Sequence, residues 1–268
     1  MLEIFQYDFM QRAFIAGILI GIIAPVIGVF LVVRRYSLLA DTLSHVSLVG
    51  VATSVFFHID PLIGALVASC LAAIGIEKLR QTHAFFGESI LALFLSGSLA
   101  AALVLFGLAH GLNANIFNYL FGSITTVSSH DLVIIGGCGF LVVVFTIVLF
   151  KNFFLVSYDP ELAQANGLPV GFLGTLMTLF AAIAVSLSMQ VVGTLLVGAL
   201  MVIPVLTAIR WGTSFLRTAV YAVGVSVLAV LLGLSFSFYL NAPSGAAIVL
   251  IAIFFFVMSL VFTRKRSR

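Results

Sequence analysis

The chain has 268 residues, 63% hydrophobic and only 8% charged, with a net charge of +3 and a mean hydropathy of +1.30. An ordinary soluble domain has about 25% charged residues, so that class is excluded. The sequence pI of 9.1 does not indicate nucleic-acid binding, because the basic residues fall in short breaks between apolar runs and form no patch.

The apolar runs lack the ten-residue alternation of a membrane barrel. They predict an all-α, polytopic helical membrane protein with eight to nine transmembrane helices in a single domain over residues 1–268. In chain order the candidate spans are about 13–33, 37–57, 61–77, 88–109, 131–150, 170–188, 191–209, 218–240 and 244–262. The first run starts near Ala13 and is long enough to span, so no cleavable signal peptide is expected. Small residues such as Gly17 and Gly21, or Gly136, Gly137 and Gly139, let helices approach closely. Cys70 and Cys138 sit inside apolar runs and read as packing residues rather than a disulfide. The semi-polar stretch 111–129 predicts a short interfacial helix. The connection 151–169 predicts another with defined ends: Asp159 caps it, Pro160 fits its first position, Gly167 fits its end and Pro169 stops it.

Cytoplasmic loops carry the excess of Lys and Arg. With the Arg34–Arg35 turn in the cytoplasm and nine alternating spans, every basic residue except Arg12 falls on the cytoplasmic side. The N-terminus is then outside and the C-terminus cytoplasmic. The outer segments hold Glu3, Asp8, His58, Asp60, His110, His130 and Asp131, a set that favours a cation at the outer mouth, although each residue singly also fits an ordinary polar loop.

The second span contains Asp41 and His45. An ionised Asp near the centre of a bilayer costs roughly 2.5–3.5 kcal/mol on insertion scales, so such a group usually has a task. Residues i and i+4 share one helix face. A carboxylate and an imidazole placed together are good ligands for Zn²⁺ or Mn²⁺. Two ligands make an incomplete site, which suits an ion that must also leave. Ser44 and Ser47 are near enough in sequence to line the same path. The other reading is an Asp–His hydrogen bond that locks helices together, and the pattern alone leaves both open. There is no Gly-x-x-x-x-Gly-Lys-Ser/Thr loop, no His-Glu-x-x-His helix and no Gly-x-Ser-x-Gly elbow, so neither an ATPase site nor an enzyme of those kinds is expected.

Four stretches together carry a family resemblance: 34–52, with Arg34-Arg35-Tyr36-Ser37 leading into Asp41-Thr-Leu-Ser-His45; Tyr119-Leu-Phe-Gly-Ser-Ile124; Asp159-Pro-Glu-Leu-Ala-Gln-Ala-Asn-Gly-Leu-Pro169; and Val192-Gly-Thr-Leu-Leu-Val-Gly-Ala-Leu-Met-Val-Ile-Pro204. In this order they resemble the permeases of the zinc, manganese and iron ABC importers along the whole chain. The resemblance implies a fold similar to type II importer permeases and a permease homodimer in the bacterial cell membrane. It also implies a separate cytoplasmic ATP-binding-cassette ATPase and an extracytoplasmic metal-binding protein. It implies no permanently held cofactor and a divalent metal as the cargo. The family's metal pair falls on Asp41 and His45, and its coupling helix on 159–167, with Asp159, Glu161, Leu162, Ala163 and Gly167. The opening residues Met1 to Ala13 resemble zinc-uptake permeases of Gram-positive bacteria more than manganese ones, which makes zinc the first expectation and manganese or iron the alternative. A secondary transporter coupled to another ion is the rival from a different class. It usually needs further intramembrane charges, and Asp41 is the one clearly available.

Overall fold

The structure, a computed structural model, describes residues 6–82, 87–108, 114–123, 125–212 and 214–264. Glu3, His110, part of the 111–129 stretch and the basic residues beyond Arg264 lie outside the described residues. These contain twelve helices and no strand: α1 (Asp8–Val33), α2 (Leu38–Phe57), α3 (Pro61–Gln81), α4 (Gly87–Leu108), α5 (Ala114–Phe121), α6 (Ser129–Val148), α7 (Phe150–Tyr158), α8 (Pro160–Ala165), α9 (Val170–Val192), α10 (Val197–Ile209), α11 (Phe215–Leu240) and α12 (Ser244–Arg264). Eight of them are long and apolar enough to cross a membrane: α1, α2, α3, α4, α6, α9, α11 and α12.

The expected seventh span, 191–209, is where sequence and structure differ. The sixth spanning helix, α9, continues to Val192, four residues further than expected, and α10 then has only 13 residues. Thirteen residues make about 20 Å of helix, short of a hydrocarbon core of about 30 Å. The missing length is the non-helical link at 193–196.

One end of the bundle is basic. There Arg34, just past α1, meets Glu77 and Arg80 from the last turns of α3, and Phe215 at the start of α11 packs on Phe30 with ring centroids 5.2 Å apart. The opposite end is acidic and brings Asp60 beside His130. The last residues of α9 and the first of α12 also meet at that end of α9, where the Ser244 hydroxyl donates to the Val191 carbonyl at 2.8 Å. Because α10 leads from the end of α9 to Phe215, it runs back toward the basic end.

Packing separates inner from outer helices. In α1 and α2, 67% of the spanning window is buried, against 22% in α4 and 28% in α6. The outer helices expose Leu93, Leu103, Val104, Val133, Phe140 and Val148, as lipid-facing surfaces do. Gly17 and Gly21 bring α1 against Val230 and Val227 of α11, as their spacing predicts; Gly139 admits Ile23, while Gly136 and Gly137 face open space. Three serines form a buried hydroxyl knot: the Ser186 oxygen on α9 lies 3.0 Å from Ser47 on α2 and 2.6 Å from Ser69 on α3. At the basic end Phe30 packs edge-on against Phe150, Phe153 and Phe215, which ties α7 to the ends of α1 and α11.

Glu77 is the charged group that sequence reading passed over. It is fully buried, 3.3 Å from a guanidinium nitrogen of Arg34, bonded by the Arg80 guanidinium, and it accepts a 3.3 Å hydrogen bond from Thr178 of α9. A side chain at Gly174 would come within 2.7 Å of its carboxylate. The Tyr36 ring lies 5.7 Å from the Arg34 guanidinium and 5.3 Å from that of Arg80. Burial, and after it the neighbouring Arg80 charge, lowers the Arg34 pKa; the Glu77 carboxylate opposes both. The cluster therefore joins the basic ends of α1, α3 and α9. Glu77→Ala leaves Arg34 enclosed without its counter-charge, a change that costs about 3–5 kcal/mol at buried pairs. The expected result is a clearly lower melting temperature of the purified protein in detergent, with a smaller loss for Glu77→Gln. An unchanged melting temperature for Glu77→Ala would contradict a stabilising cluster.

Candidate metal site

Along the middle of α2 nearly every residue is buried, including Thr42, Leu43, Ser44, Ser47, Leu48, Val51 and Ser54. The exceptions are Asp41, His45, Val49 and Thr53, which are half-buried and succeed one another at intervals of four. This spacing places all four on one helix face. The one open stripe of α2 therefore carries both of its ionisable residues. Neither makes a side-chain hydrogen bond within the described residues, and the Nδ1 atom of His45 is enclosed without a partner. A helix-locking Asp–His hydrogen bond, the other reading of the pair, is not formed.

Ser44 and Ser47 do not lie on the stripe. The Ser44 hydroxyl donates to the Asp41 carbonyl at 2.7 Å, and Ser47 belongs to the hydroxyl knot. The reason is angular: at about 100° per residue, Ser47 is about 200° from His45. Sequence proximity brought these serines to notice, but helical phase turns them into the protein.

Opposite Asp41 stands the start of α10. A side chain at Gly198 would overlap the Asp41 carboxylate, with Cγ only 2.7 Å away. The link before α10 is pinned by 119–123, at the end of α5 and just beyond it. Thr194 N–H donates to the Tyr119 carbonyl at 2.8 Å, Leu195 N–H to the Leu120 carbonyl at 3.2 Å, and Ser123 N–H to the Gln190 carbonyl at 3.2 Å. Gly122 (φ +77°) and Gly193 (φ +86°) meet backbone to backbone. Two motifs about 70 residues apart in the chain are thus one structural unit.

At the acidic end, Asp60, His130 and Asp131 offer ligand atoms that all lie within 4.8 Å of one another. Asp60 also caps α3 by accepting from Leu62 N–H at 2.8 Å, and Asp131 completes a capping box with Ser128. Helix capping accounts for two of the three residues, so the group has a structural role whether or not it holds an ion. His130 Nδ1 is 3.5 Å from Asp60 Oδ2. His58 is exposed, ends α2 with φ +55°, and is not among the three clustered groups. Burial, then the charges of Asp131 and Asp60, raises the Tyr119 hydroxyl above its usual pKa.

At the basic end α8 has the predicted ends. The Asp159 carboxylate accepts from Leu162 N–H at 2.9 Å, and Pro160 takes the first position. Gly167 is in the left-handed region (φ +77°), with its N–H on the Gln164 carbonyl at 2.9 Å and Leu168 N–H on the Ala163 carbonyl at 3.1 Å. This is a Schellman closure. Glu161 and Leu162 are exposed, whereas Ala163 is fully buried and anchors the helix rather than presenting a surface. A cleft lined by Arg34, Arg80, Glu161 and Gln164 joins α8 to the Glu77 cluster.

The sequence profile of the ABC 3 transport family matches residues 6–263. The manganese import system permease protein ScaB of Streptococcus parasanguinis is 33% identical over 263 residues, covering 98% of this chain and 94% of its own. The high-affinity zinc uptake system membrane protein ZnuB of Haemophilus influenzae is 30% identical over 262 residues, covering 97% and 100%. The solved structure of PsaBC from Streptococcus pneumoniae in complex with Fab superposes with a TM-score of 0.86 at 32% identity, over 96% of this chain and 92% of that one. The all-helical fold and this likeness along nearly the whole length agree: the chain belongs to the ABC 3 transport family, as a membrane permease of an ABC metal importer.

Proposed function

We propose that Asp41 and His45 receive the metal in transit, that the ion moves along the open stripe of α2, and that the cargo is zinc. The observation that carries this reading is the stripe itself, whose two ionisable side chains make no side-chain hydrogen bond among the described residues. An oxygen and an imidazole nitrogen suit a borderline divalent ion, and such a site generally holds Zn²⁺ more tightly than Mn²⁺. The relative from Streptococcus parasanguinis is a manganese permease and that from Haemophilus influenzae a zinc one, so manganese is kept as the second reading.

The basic end is taken as cytoplasmic by the positive-inside rule, which puts the N-terminus outside and α8 inside. A cytoplasmic ATPase then docks on α8, through exposed Glu161 and Leu162, and pushes on the Glu77 cluster through the shared cleft. An extracytoplasmic metal-binding protein delivers the ion at the acidic end, near His58, Asp60, His130 and Asp131. A second copy of the permease completes the path.

Asp41→Ala and His45→Ala are each expected to reduce zinc uptake into proteoliposomes carrying the assembled importer to background, with ATPase activity and assembly retained. Parallel assays with radioactive zinc and manganese name the cargo. Normal uptake of both metals by both variants would refute the assignment. For the docking helix, Gly167→Val places a β-branched residue at φ +77°, a conformation that costs such residues about 1–2 kcal/mol or more. The expected outcome is a permease that folds but no longer links ATP hydrolysis to uptake. Wild-type uptake per ATP hydrolysed would count against α8 as the docking element.

A further inference from the structure

The Asp41 carboxylate fills the place where any residue other than glycine at position 198 would carry its side chain: a Cβ there would overlap Oδ1 and lie 2.7 Å from Cγ and 3.3 Å from Oδ2. Gly198 is the second residue of α10, within a first turn whose N–H groups have no acceptor inside the helix. The partial positive charge of a helix start favours a carboxylate beside it. That start is held at Asp41's depth, rather than at the end of the bundle, by the link at 193–196 and its bonds to 119–123. The same helix is fixed against α1 about one turn further on: at Gly28 a side chain would overlap the Met201 carbonyl. Gly198 cannot back away from Asp41 without unseating α10 from both neighbours.

We propose that Gly198 is the positioning residue of the metal site: its missing side chain provides the space for the Asp41 carboxylate, and α10 thereby sets where on the α2 stripe that ligand is presented. Gly198 itself donates nothing to the metal and acts only through Asp41. The proposal rests on Asp41 being a metal ligand, so its test separates the two ideas.

The test is a double-mutant cycle on the full-length permease in lipid nanodiscs, titrated with zinc alone and with manganese alone. Gly198→Ala is expected to weaken metal binding by about tenfold or more, and to change it by less than about twofold in the Asp41→Ala background, because the group it displaces is already gone. Gly224→Ala, whose added carbon meets nothing within 4 Å, is the silent control. Equal losses in both backgrounds, or undiminished binding by a folded Gly198→Ala protein, would overturn the proposal. Should Gly198→Ala fail to fold, recovery of folding in the Asp41→Ala background supports the shared space, and failure in both backgrounds refutes it. If Asp41→Ala alone binds metal normally, the ligand assignment falls and this inference falls with it; if only Gly198→Ala is silent, the ligand assignment stands.

Discussion

A backbone that leaves its helix inside a membrane protein exposes amide and carbonyl groups that no water satisfies, and each one must find a partner in the protein. This constraint governs the region between α9 and α10. Within the link at 193–196, the N–H groups of Thr194 and Leu195 give up helical acceptors, and the carbonyls of Tyr119 and Leu120 replace them. The two segments come close enough only because Gly122 and Gly193 have no side chains. The break produces a short helix that begins in the interior, beside Asp41, instead of at a membrane surface.

The protein treats the carboxylates of Glu77 and Asp41 in opposite ways. Glu77 is neutralised by Arg34 and Arg80, hydrogen-bonded by Thr178 and sealed from solvent, so its charge is committed to holding α1, α3 and α9 together. Asp41 has no Lys or Arg ion-pair partner and no side-chain hydrogen-bond donor among the described residues, and it opens onto the stripe shared with His45. A carboxylate that is already satisfied has little to offer a passing cation. One that is unsatisfied gains from it, and loses it again without rearranging an ion pair.

Much of this was legible in the sequence, and for identifiable reasons. Asp41 and His45 stood out because charge is rare in apolar runs, and α8 because Asp-Pro at one end and Gly-x-Pro at the other specify caps independently of tertiary structure. The Glu77 cluster was hidden: beside Lys78 and Arg80 it resembles a solvated helix end, and its partner Arg34 is 43 residues away. The α9–α10 break was hidden as well, since Val192-Gly-Thr-Leu-Leu-Val197 is apolar enough to pass for continuous span. Gly198 lies within the fourth of the family-like stretches, but its part there was hidden, because the space a glycine leaves has meaning only when its occupant is seen.

The hydroxyl knot has a mechanical consequence. Ser47 is two residues beyond His45, and its oxygen is tied to Ser186, which is tied in turn to Ser69. Turning α2 about its axis relative to α9 first has to pull these oxygens apart. With the knot intact, the face of α2 that carries Asp41 and His45 keeps its orientation relative to α3 and α9.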